Sequence, residues 1–94
     1  MFLRLVRFTL AASACSQAQA MAEDLIPAIK QQPGCLSAVF YGGGADGESG
    51  VCVLWASQEH AKAAASVIGP RLEAHLAGNV VAPPERDFFP VLAH

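Results

Sequence analysis

Residues 2–10 alternate with the two-residue period of a β-strand, placing Phe2, Val6, Phe8 and Leu10 on one face and Leu3, Leu5 and Thr9 on the other. Both faces are apolar, so the pattern predicts a strand covered on both sides. Across residues 13–32 the period changes to three and four, with Ala14, Ala18, Met21, Leu25 and Ile29 forming one stripe of an amphipathic helix. Pro27 has no N–H to donate, which predicts a kink or a restart there, and Pro33-Gly34 ends the helix. Residues 36–41 and 51–55 read as two short strands joined by the turn-forming residues of the 42–50 segment, an antiparallel hairpin. Ser57 then caps a second helix, with Glu59 in its first turn and an apolar stripe of Ala61, Ala64, Ala65, Ile68, Leu72 and Leu76. Gly69-Pro70 is expected to divide this helix, and Gly78-Asn79 to stop it. The segment 86–92 reads as a fourth strand, and Pro90 within it favours a sheet edge or a bulge.

The predicted order is strand, helix, strand, strand, helix, strand. This is the α+β, ferredoxin-like βαββαβ arrangement, a four-stranded antiparallel sheet with both helices on one face. Its other face would be bare although its strands are apolar on both sides, which predicts a second sheet laid against it. Composition points the same way. The 94 residues allow a single domain, yet 53% are hydrophobic and 15% charged, more apolar surface than one small core consumes. A homodimer needs only one self-complementary patch to bury the surplus.

Charge excludes other partners. Six Lys and Arg nearly balance eight Asp and Glu without a run of either sign, so nucleic acid is not an expected partner. No apolar run approaches the roughly 20 residues of a membrane span. Cys15, Cys35 and Cys52 are odd in number and form no CxxC pair, which suits free thiols in a reducing, cytoplasmic setting. The first 20 residues loosely imitate an export signal, with Arg4 and Arg7, an apolar stretch from Phe8, and Ala18-Gln19-Ala20. Two arginines interrupt the apolar part, Ser13, Ser16, Gln17 and Gln19 dilute it, and cleavage after Ala20 would discard the first strand. Export is therefore the minor expectation.

At Pro33-Gly34-Cys35-Leu36-Ser37-Ala38 and Val53-Leu54-Trp55-Ala56-Ser57-Gln58-Glu59-His60 the chain resembles the antibiotic biosynthesis monooxygenase (ABM) group of dimeric α/β barrels, and the order of elements agrees over residues 1–94. That resemblance implies a single domain, a dimer formed by packing sheets, and a pocket between each sheet and its helices. Some members of the group oxidise polyketide hydroquinones or anthrones with O₂ and no metal or organic cofactor, the substrate anion itself reducing oxygen. Others degrade haem. The polyketide-oxidising members pair the Trp of the third strand with an Asn on that strand. Here the same-face neighbours of Trp55 are Val53 and Val51, and the chain's one Asn is Asn79, at a helix end. The haem-degrading members use an Asn on the first strand with a Trp and a His on the second helix. This chain has Val6 and Arg7 on that strand and no Trp on that helix.

The candidate residues follow from side-chain chemistry. Trp55 can wall an aromatic pocket and donate its indole N–H, or simply fill the core. His75 and His60 border the apolar stripe of the second helix, where a neutral imidazole can take a phenolic proton or just reach water. No carboxylate or Cys sits at a helical spacing that supports metal binding by both. Arg7 and Arg86 offer guanidinium groups for an anionic substrate or enolate, or for ion pairs with Glu85 and Asp87. Tyr41 ends a strand beside the glycines and forms a candidate pocket lip. The glycines do not make a phosphate loop, because no Lys-Ser or Lys-Thr follows and the next element is a strand. The leading expectation is a cofactor-independent monooxygenase of a small aromatic or quinol, with Trp55 and His75 as participants. The alternative is a non-catalytic dimer that binds a small ligand or acts as an accessory protein.

Overall fold

A computed structural model describes residues 1–43 and 45–94; Gly44, in the middle of the predicted glycine turn, lies outside them. The strands are β1 (Phe2–Thr9), β2 (Cys35–Tyr41), β3 (Glu48–Trp55) and β4 (Glu85–Pro90), and the α-helices are α1 (Ala18–Lys30) and α2 (Gln58–Leu76). They form one antiparallel sheet in the order β2-β3-β1-β4, with β1 and β3 at its centre. This is the predicted βαββαβ, ferredoxin-like fold. β1 lies within the signal-like first 20 residues and pairs along both its edges. Pro90 sits in an edge strand opposite Phe2, where its missing N–H costs no interior ladder bond.

Two boundaries differ from the sequence reading for physical reasons. β3 begins at Glu48, three residues before the predicted start, because Glu48, Ser49 and Gly50 pair with Thr9, Phe8 and Arg7 of β1. Local periodicity carries no signal for pairing over such a distance in sequence. The start of the first helical segment is a 3-10 turn, Ala12–Gln17, followed by α1.

Neither interior proline breaks its helix. α1 runs through Pro27 and α2 runs unbroken for 19 residues through Gly69-Pro70. Each proline forfeits one backbone bond, but buried residues on both sides hold the turns in place: Met21, Leu25 and Ile29 in α1, and Ala61, Ala64, Leu72 and Leu76 in α2. The Ser57 cap forms as expected, its hydroxyl accepting the His60 backbone N–H at 3.2 Å.

The register sorts the sheet into rows. On the helix side the rows are Pro90, Phe2, Trp55, Cys35; then Phe88, Arg4, Val53, Ala38; then Arg86, Val6, Val51, Phe40. The core lies here, where Val6, Phe8, Val51, Val53 and Trp55 meet Met21, Leu25, Ile29, Leu72 and Leu76. On the opposite face the rows are Phe89, Leu3, Leu54, Ser37; then Asp87, Leu5, Cys52, Val39; then Glu85, Arg7, Gly50, Tyr41. Among the described residues neither helix packs on this apolar face, and Val39 and Phe89 stand exposed on it. Among the described residues no helix is long and apolar enough to cross a membrane.

Candidate active site

Between the helix side of the sheet and α2 lies a cavity of about 460 Å³, within the size range of small-molecule sites. β3 supplies Val51, Val53 and Trp55 to its floor, β1 supplies Arg4 and Val6, and Leu25 and Ile29 of α1 close one side. The roof is α2, and its composition explains why space remains. Ala61, Ala64 and Ala65 present only methyl groups where larger side chains would fill the gap, and Gly69 and Pro70 continue the roof.

Into this apolar chamber come few polar groups. Trp55 is buried, yet its indole nitrogen has no hydrogen-bond partner among the described residues. Among the described residues no side-chain nitrogen or oxygen that is wholly closed off from solvent lacks a partner, so the indole nitrogen keeps some contact with solvent-accessible space. Arg86 of β4 and Glu73 of α2 face each other at the rim, Nη2 to Oε1 at 3.6 Å, an ion pair too long for a hydrogen bond. Arg4 lies between Val53 and Phe88 in its row, with its guanidinium carbon 4.7 Å from the centre of the Phe88 ring.

The structure brings together two of the residues singled out from sequence, Trp55 and Arg86, and separates the others from the cavity. Arg7 points to the opposite face, where its Nη2 meets Glu85 at 2.7 Å and Asp87 at 3.2 Å. Tyr41 lies on that same face, its ring across Gly50, where a Cβ would overlap the phenol. His60 is held beneath the start of α2, its Nδ1 2.8 Å from the Ser57 hydroxyl and its ring filling the space that Gly34 leaves. His75 turns toward α1, its Nε2 2.7 Å from Asp24. Strand parity assigns Arg7 and Tyr41 to the far face, and the helical positions of His60 and His75 lie off the strip of α2 that roofs the cavity. Asn79 is also remote, donating its side-chain N–H to the His75 carbonyl at 2.7 Å.

Arg4 and Glu73 are the site residues that the sequence reading missed. A signal for Arg4 existed: it shares the parity of Phe2, Val6 and Phe8, so a charge there is aimed at the covered face. Among the thiols, Cys35 beside Trp55 in the first row is pushed up from its ordinary value by burial, which keeps it protonated and a poor nucleophile.

No family model and no curated protein sequence matches the chain. Solved structures do. A protein of unknown function from Nitrosomonas europaea superposes with a TM-score of 0.87 at 18% identity, covering 99% of this chain and 90% of its own. A proposed antibiotic biosynthesis monooxygenase from the same organism gives a TM-score of 0.87 at 10% identity over 99% and 100%. SnoaB, a cofactor-independent oxygenase from Streptomyces nogalater, gives 0.80 at 14% identity over 99% and 94%. The chain therefore has the fold of the ABM proteins.

Proposed function

We propose that the cavity is the active site of a cofactor-independent monooxygenase that oxidises a small aromatic substrate with O₂. One observation carries this reading: an apolar chamber large enough for fused rings, whose lining includes Trp55 and, at its rim, the Arg86–Glu73 ion pair. The fold shared with SnoaB supports it by analogy. An anthrone illustrates the chemistry. Glu73 takes a proton from the ring CH₂, and the resulting anion places its charge on the oxygen, held by the Trp55 N–H and Arg86. That anion gives up an electron to O₂, a carbon–oxygen bond forms, and the resulting peroxide anion takes the proton back from Glu73 to become a hydroperoxide. Loss of the second proton from that carbon breaks the O–O bond, leaving a ketone and water. One oxygen atom of O₂ enters the product and the other leaves as water.

In this reading Trp55 and Arg86, which line the cavity, contact the substrate, and Glu73, the carboxylate on the cavity wall, takes the proton-accepting role that the sequence suggested for His75. In the same reading, two chains pair through the bare sheet face as a homodimer, burying Leu3, Leu5, Val39 and Phe89.

The test is oxygen uptake with anthrone under ¹⁸O₂, against the uncatalysed rate. The reading expects one ¹⁸O in each anthraquinone and a fall in kcat of about tenfold or more in Trp55→Phe, which keeps the ring and removes the N–H. Uptake no faster than background would reduce the chain to a ligand-binding protein.

A further inference from the structure

The geometry points to Arg4 as an anchor for a carboxylate on the ligand, making the substrate an aromatic acid rather than a neutral arene. The inference rests on the cavity being a ligand site, and it adds a substrate class and a specificity residue to the proposed function.

Four observations converge. Arg4 lies on the cavity wall in a partly buried position, and among the described residues no carboxylate reaches it, whereas Arg7, Arg71 and Arg86 each face one. A guanidinium drawn partly out of water without an anion is left undersatisfied, and a bound carboxylate would repay that cost. Its position is set in advance. Phe2 stacks on Phe88 at 5.1 Å with 2° between the ring planes, and Phe88 in turn lies against the Arg4 guanidinium, so little ordering remains to be done on binding. A planar fork of N–H donors fits the two oxygens of a carboxylate.

The row order places this anchor beside the proposed reaction centre. Along the helix side of the sheet Arg4 follows the Trp55 row and precedes the Arg86 row. An arene against Val51, Val53 and the alanines of α2 can thus direct an oxygen to Trp55 and Arg86 and a carboxylate to Arg4. The two guanidiniums against the single Glu73 leave the lining with one net positive charge, which rejects a cationic ligand of the same shape.

Calorimetric titration of the full chain without O₂ tests this separately from turnover, using 2-naphthoate and methyl 2-naphthoate as probes. Wild type is expected to bind the acid at least about tenfold more tightly than the ester. Arg4→Gln should bring that ratio close to one while the ester's Kd stays within about twofold, and Arg4→Lys should restore part of the preference. Equal Kd values in wild type, no binding of either probe, or a preference undiminished in a folded Arg4→Gln would each overturn the inference. The wild-type ratio needs no variant, so a misfolded Arg4→Gln leaves the question decidable. An acid preference in a protein that never oxidises anthrone sinks the monooxygenase reading alone, and ¹⁸O incorporation without an acid preference sinks the anchor alone.

Discussion

Asp24 of α1 and His75 of α2 lie 2.7 Å apart, Oδ2 to Nε2, and the same carboxylate accepts from Arg71 Nε at 3.0 Å. The two helices are thus tied by a three-residue cluster on their outer side, across from the sheet. Arg71, then His75, hold the Asp24 carboxyl well below the usual carboxylate range. A carboxyl depressed in the folded state stabilises the fold above its unfolded value, near about 4, and that contribution is lost as pH falls toward the folded value. Thermal unfolding of wild type should therefore show a Tm that drops with acid below about pH 4, and Asp24→Asn should flatten that limb while lowering Tm at pH 7. An identical acid limb in both proteins would assign the pH dependence to other carboxylates.

Gly34 has φ of +81°, and a Cβ there would run into the His60 ring. Gly34→Ala is expected to cost at least about 1–2 kcal/mol from the left-handed backbone alone, with the steric conflict added. Combining it with His60→Ala should recover the steric part and leave the backbone part. Urea unfolding of the four proteins of this cycle checks it, and strictly additive losses would show that the ring moves aside freely.

Met21 is 1% exposed and packs in the core away from the cavity lining. Met21→Ala should destabilise by about 2–5 kcal/mol, since it removes buried atoms from a site walled by the sheet and helix. That is a large share of the stability of a domain this size, so the urea midpoint should shift markedly. Ligand affinity in the variant that remains folded should stay near that of wild type.

The outer sheet face predicts the assembly. Val39 is 57% and Phe89 49% exposed, unusual for large apolar residues in adjacent rows. Light scattering on a sizing column should give a dimer for wild type and a monomer for Val39→Lys with Phe89→Lys, both exposed in the single chain and so mild in their effect on its folding. A wild-type monomer at micromolar concentration would refute the pairing.

The elements that the sequence determined by itself are those whose signal is local. The alternation of Phe2, Val6 and Phe8, the stripe Met21, Leu25, Ile29, the Ser57 cap and the Pro90 edge each follow from one or two neighbouring residues and a fixed period. With their order they specify the βαββαβ arrangement, and the strand-three Trp55 already marked the position that becomes the cavity floor. What depends on distant parts of the chain was decided only in three dimensions. Pro27 and Pro70 read as breaks because each loses a backbone bond, and packing against the sheet outweighed that local cost. His75 and His60 look equivalent to any other residue bordering an apolar stripe until Asp24 and Gly34 are brought beside them. Arg7 and Arg4 differ by three positions, hence by strand parity, and the register sends one to Glu85 and the other into the cavity. A period assigns a face; which face has a helix over it, and whether that helix brings alanines or larger side chains, is a property of the packed chain.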